Sequence, residues 1–322
     1  MNKSIVFLIF LLAGLTGCAT YIPNLPRESA TYETTQVELL EAADCENLVR
    51  VSTWENQSLA NLTAKCPPKG WEGFFQDPKV KQEVQKISDH LKEEITVGRE
   101  INPAIGQVFR ALYLVNPTQI RAVILGQDPA PTKGQATGLS FSLKPGTDPA
   151  KVPSVLRVIL EAQNEGFCMK MHDGDLSSWA DGGVLLLNMA LTIPCPAEST
   201  SCEIAGHLAL WRGFTTRLIV FLEQQNHPFA YILFGNVAGG FSKMIKNTNH
   251  QILKGGHPSP QAPGENFFCK SYFKCTNDWL NKHTALLVSW QTDKSCGAAS
   301  SCIWTNEHPP KCQATCELVS CP

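Results

Sequence analysis

The sequence predicts an α/β fold of three layers, with a central, mostly parallel four-stranded sheet flanked by helices. Three observations carry that expectation. Four short runs, AVILG at 122–126, GVLLLN at 183–188, YILFGN at 231–236 and HQILKGG at 250–256, are apolar and end in small or turn-forming residues, the first three as near-continuous runs. Continuous apolar runs of this length read as strands covered on both faces, whereas half-buried strands alternate. Other segments carry helical spacing, most clearly VKQEVQKISDHLKEEI from Val80 to Ile95, apolar on one side with mixed charge on the other, a structural helix. Finally, 322 residues that are 43% hydrophobic and 17% charged supply one core of ordinary domain size with appendages.

In open parallel sheets, ligands sit beyond the carboxyl ends of the strands, so the residues after each run are where chemistry is expected. The first run delivers Asp128, in Gly126-Gln127-Asp128-Pro129. The second ends on Asn188, the third on Asn236, and the fourth brings out His257 in His257-Pro258-Ser259-Pro260. A carboxylate, an amide and an imidazole at one sheet edge can stabilise charge, read a polar edge and donate a proton or hydrogen bond. Each also has a plainer reading. Asp before Pro initiates turns, Asn188 can close one, and Asn236 beside Gly235 is turn chemistry more than catalysis.

At these residues the chain resembles the uracil-DNA glycosylases, the branch carrying a GQDPYHGPGQAHGLxFSV segment, an LLLN strand end and an HPSPLS loop. The resemblance runs from about Trp71 to Leu280, through WEGFF, GQVFRAL, GQDP, GQATGLSFS, VPSVL, WADGGVLLLN, ILFG and HPSP. It implies hydrolysis of the N-glycosidic bond of a flipped uracil in single- or double-stranded DNA. The chain is read as a monomer without cofactor, and the lack of any pair of CxxC motifs argues against a metal site. Asp128 would stabilise positive charge on the sugar and orient the attacking water; His257 would donate a hydrogen bond to the departing base. Asn188 would read the uracil edge, Phe141 would stack on the base, and Gln127 would contact it through its backbone. Ser154 and Ser259 would approach phosphates.

The departures matter equally. Ala130 and Pro131 follow GQDP where the family has Tyr and His, and the tyrosine is the wall that excludes a 5-methyl group. Gln261 stands where the family places a leucine wedge, and a polar amide is a poorer wedge. A formal net charge of −2 and a pI near 6.4 argue against a tight nonspecific grip on DNA, leaving local positive potential to Lys133, Lys254 and Lys270. These departures keep a second reading open: a catalytically weak or inactive exported module that binds a nucleobase or single-stranded nucleic acid.

Residues 1–19 read as a signal peptide, a lysine followed by a short apolar stretch from Ile5 to Leu15 and then small residues. Leu15-Thr16-Gly17-Cys18 resembles a bacterial lipobox, which would anchor Cys18 to lipid; cleavage after Ala19 fits equally. No run is long enough for a transmembrane span. Residues 20–66 form a polar leader with Cys45 and Cys66 enclosing two glycosylation sequons at Asn56 and Asn61, and 67–290 form the glycosylase-like domain. The tail, 291–322, holds Cys296, Cys302, Cys312, Cys316 and Cys321. Setting Cys18 aside, the 13 cysteines leave an even twelve, as disulfides in an exported chain require. Five in the tail is odd, so if all twelve pair, at least one must reach outside it, with Cys168, Cys269 or Cys275 as receivers. The compartment is thus secreted or extracytoplasmic, either as a eukaryotic glycoprotein or as a bacterial lipoprotein.

Overall fold

The computed structural model describes residues 45, 47–48, 50–262, 266–295 and 321. Its strands are β1 Glu100–Asn102, β2 Ala122–Gly126, β3 Val184–Asn188, β4 Ile193–Cys195, β5 Ala230–Phe234 and β6 Gln251–Gly255. Four of them make one sheet in the order β3-β2-β5-β6, each neighbouring pair parallel. β1 and β4 form a separate antiparallel ribbon. Every residue of β2, β3 and β5 is buried, as their continuous apolar runs require, while edge strand β6 exposes Lys254.

The predicted helix over 80–95 spans Pro78–Thr96. Asp77 caps it, Oδ1 accepting the N–H of Lys79 at 2.8 Å and of Val80 at 3.2 Å, and Pro78 occupies the first helical position, where a missing N–H costs nothing. It buries Val80, Val84, Ile87 and Leu91 and packs against the helix Leu208–Leu222. Phe74, Phe75, Phe109, Trp211 and Phe214 meet there in a cluster of edge-to-face and tilted rings. A second cluster of Trp179, Phe273 and Trp290 supports the helix Tyr272–His283, which lies on β5 and β6.

Two sequence expectations are corrected. Residues 59–66 belong to the packed domain rather than to a polar leader, because the helix Leu59–Lys65 buries Leu59 and Leu62 in the main core. Asn236 does not end a strand: β5 stops at Phe234, and Asn236 is exposed in the first turn of the helix Gly235–Gly240.

All eight described cysteines are disulfide-bonded. The described pairs include Cys45–Cys66, Cys195–Cys202 and Cys275–Cys321, the last carrying a tail cysteine onto the domain. The signal segment, the lipobox cysteine and the other tail cysteines lie outside the described residues. Among the described residues no helix is long and apolar enough to cross a membrane.

Candidate active site

From β2 the chain passes to β3 on one side and later to β5 on the other, so the strand order reverses between β2 and β5. Ligand crevices form at such a switch point, outside the carboxyl ends of the strands. A cavity of about 610 Å³ lies there, and every site residue named from the sequence lines it: Gln127, Asp128, Ala130, Phe141, Ser154, Asn188, His257, Ser259 and Gln261.

Its floor is made by close approach of two parallel strands. Gly126 pairs with Asn188 in register, and a side chain at 126 would run into the Asn188 Oδ1, the Ser140 Cβ and the Phe141 ring. Glycine therefore clears the space that Asn188 and Phe141 share. The segment around Phe141 is laid over the strand ends by Ser140, whose N–H donates to Leu186 O at 3.0 Å and whose hydroxyl donates to Ile124 O at 3.2 Å. Phe141 has φ of 55°, a costly conformation for an aromatic residue, and its ring stands edge-on to Phe234 at 5.6 Å.

Asp128 accepts two hydrogen bonds on Oδ2, from Gln127 Nε2 at 2.7 Å and from the Ala205 N–H at 3.0 Å. Its Oδ1 is buried with no hydrogen-bond partner among the described residues, and so is the Oδ1 of Asn188. Burying an unsatisfied acceptor costs about 1–3 kcal/mol, so two in one cavity mark groups aimed at a ligand. Burial raises the Asp128 pKa above its ordinary value, and the two hydrogen bonds and nearby His207 partly offset this.

His257 follows β6. The Ser259 N–H donates to its Nδ1 at 3.0 Å, which makes Nδ1 the acceptor and puts the proton of the neutral ring on Nε2. Burial lowers its pKa, so the neutral, Nε2-protonated ring is the form at neutral pH. The same loop holds Gln261, whose Oε1 accepts the Ser259 hydroxyl at 2.8 Å. The cavity therefore carries a buried carboxylate, an imidazole N–H donor, an amide and an aromatic face.

This chain matches the family model for the uracil DNA glycosylase superfamily over residues 112–281. A uracil-DNA glycosylase of Anoxybacillus flavithermus is 35% identical over 223 residues, 69% of this chain and 96% of that protein. The chain belongs to the uracil-DNA glycosylase superfamily. A homologue of the same name from Alkaliphilus oremlandii is 34% identical over 69% of this chain and 96% of its own length. The crystal structure of mimivirus uracil-DNA glycosylase shares the fold at a TM-score of 0.61, with 20% identity over 76% of this chain and 98% of that one.

For a superfamily member, the site also holds features that sequence reasoning missed. Ala205 donates to the central carboxylate, Ile204 lines the cavity, and Lys151 adds a cation to its rim near Ser154, which lies in the first turn of the helix Pro153–Asn164. Lys151 could have been noticed beside VPSVL; the other two carry no local signal. Lys133, expected to add positive potential, is instead paired with Glu100 at 3.0 Å and donates to Ala197 O at 2.7 Å.

Behind Ala205, His207 Nε2 meets Glu94 Oε2 at 2.7 Å and its Nδ1 meets Thr192 Oγ1 at 2.8 Å. Glu94 and His207, together with His90, have ligand atoms within 4.8 Å of one another, a spacing that also suits a metal ion. Both nitrogens of His207 are already engaged, and the Arg99 guanidinium stands 3.8 Å from Glu94. Thus the cluster serves as an anchor for the 203–207 segment.

Proposed function

We propose that this chain is a hydrolase that cleaves the N-glycosidic bond of uracil flipped out of DNA. The observation that carries this reading is the convergence on one cavity of Asp128 Oδ1 and Asn188 Oδ1, both unpartnered, with the Nε2-protonated ring of His257. In the reaction the C1′–N1 bond breaks, and its electron pair leaves with the base. Asp128 faces the resulting positive charge on the sugar and takes a proton from the water that adds to C1′. His257 Nε2–H stabilises the anion on the base carbonyl, Phe141 stacks on the ring, and the Asn188 amide reads its edge. Cytosine presents the opposite donor and acceptor pattern and would leave buried polar groups unpaired.

Ala130 makes the pocket wall small, so 5-substituted uracils are accepted with little penalty. The reading of an exported enzyme is supported by the disulfide bonding of all eight described cysteines. Asn56, exposed in a turn, offers a presentable glycan acceptor, whereas Asn61 sits in the helix Leu59–Lys65 with its sequon threonine bonded to Leu59 O.

One observation favours the binding-module alternative: Gln261, at the wedge position after HPSP, is polar and tied to Ser259. Release of free base from a uracil-containing single-stranded oligonucleotide separates the two. The enzyme reading expects release that falls roughly 100- to 1,000-fold in Asp128→Asn and in His257→Ala, since each removes a partner of transition-state charge. Binding of the oligonucleotide without release by the disulfide-intact wild type would establish the module instead.

A further inference from the structure

Beside the central carboxylate stands a side chain that none of these roles uses. Ile204 lines the same cavity as Asp128, yet it is 67% exposed. Isolated apolar residues on a surface are ordinary. This one is unusual in how firmly the backbone on either side of it is held. The disulfide Cys195–Cys202 closes the preceding loop, the Cys202 N–H donates to Pro131 O at 2.7 Å, and the Lys133 N–H donates to Thr200 O at 3.0 Å. Glu203 N–H donates to Pro194 O at 2.8 Å and its carboxylate pairs with Arg99 at 3.0 Å, while Ala205 bonds Asp128. Residues on both sides of Ile204 are thus anchored, Ala205 to the Asp128 carboxylate and Glu203 to Pro194 in β4.

Those bonds also say which side of the cavity Ile204 occupies. The disulfide loop pairs with Pro131 to Lys133, so Ile204 stands on the wall where Ala130 and Pro131 leave little bulk. An exposed apolar side chain carried on an anchored backbone at the rim of this cavity gains free energy only when something covers it.

We propose that Ile204 is a substrate-contacting residue, packing on the nucleotide held over Asp128 and supplying the apolar contact on the Ala130 side of the pocket. The proposal rests on the nucleic-acid reading given above. Because Ile204 makes this contact in the ground state as well as the transition state, its loss appears in KM more than in kcat.

Ile204→Ala should raise KM for a uracil-containing single-stranded oligonucleotide about tenfold, with kcat within about twofold and an unchanged melting temperature. Val97→Ala, at a 77% exposed apolar position off this cavity, should leave KM and kcat unchanged. Ile204→Trp provides a readout that needs no turnover: its emission, relative to wild type, should shift when the oligonucleotide is added, also in an Asp128→Asn background. If the wild type releases no uracil but the tryptophan emission moves, the hydrolase reading fails and the contact stands. Release that depends on Asp128, with Ile204→Ala kinetics like wild type and a silent tryptophan at saturating oligonucleotide, would overturn the contact alone. A silent tryptophan in a protein that neither binds nor cleaves overturns both.

Discussion

The backbone N–H of Ala205 donates to Asp128 Oδ2 across 3.0 Å, joining the segment after β2 to the stretch that follows the disulfide-closed loop, 77 residues later in the chain. Together with Gln127 Nε2 on the same oxygen, it leaves Oδ1 as the oxygen without a partner. Orientation of the carboxylate is therefore built into the loop and does not depend on substrate.

Opening that loop should disturb chemistry before it disturbs folding. Replacing Cys195 and Cys202 together by serine is expected to lower kcat about tenfold and to cost up to about 2 kcal/mol of stability, a cost that falls with the shortness of the closed loop. Steady-state kinetics and thermal melts of the double variant check this, and an unchanged kcat would show that the Ala205 contact survives without the disulfide.

The acid limb of the rate profile should lie above the ordinary carboxylate range. Asp128 must be ionised to face the developing cation, and burial raises its pKa, so the rate falls as pH drops through that raised value. Gln127 donates to the carboxylate and holds the value down. Gln127→Leu should consequently move the limb to higher pH, measured as kcat/KM against pH. A limb that stays in place would separate it from Asp128.

Selectivity tests the small wall at Ala130. Shape exclusion of one methyl group is worth only ~1 to 3 kcal/mol, so the wild type should release thymine or 5-hydroxymethyluracil within about two powers of ten of uracil. Ala130→Tyr should depress the 5-substituted bases far more than uracil. Equal ratios in the two proteins would mean that another side chain lining the cavity, such as Ile204, Pro131 or Thr132, already fills the space.

Stability should fall with rising pH across a window set by buried glutamates. Glu161 accepts the N–H groups of Cys269 and Lys270, and Glu165 accepts that of Lys274 at 2.6 Å, fastening the first turn of the helix Tyr272–His283. Burial, helped by the neighbouring Glu161, pushes the Glu165 pKa up to about 8. The folded state thus holds a proton that the unfolded chain releases at an ordinary carboxylate pKa. Stability is full below that ordinary value and is lost as pH rises through about 8. Wild type should melt several degrees lower at pH 8.5 than at pH 5.5, and Glu165→Gln should flatten that difference.

The sequence by itself determined the sheet and the three polar residues at its carboxyl edge. Buried parallel strands are written as short continuous apolar runs, and the residue after each run must emerge at one edge, so Asp128, Asn188 and His257 were legible from local pattern and spacing. The third strand end departs from that pattern because Gly235-Asn236 can close a strand or open a helix, and only packing beside β5 chooses. Tertiary structure alone decided the rest. Ala205 and Ile204 sit in an unremarkable stretch whose meaning depends on the Cys195–Cys202 bond and on Glu94, which meets His207 from a helix 113 residues away in sequence. Lys133 looks like a phosphate cation until Glu100 is folded against it. Local periodicity records which face of an element is buried, whereas hydrogen bonds and ion pairs between distant segments are set by how the packed elements meet.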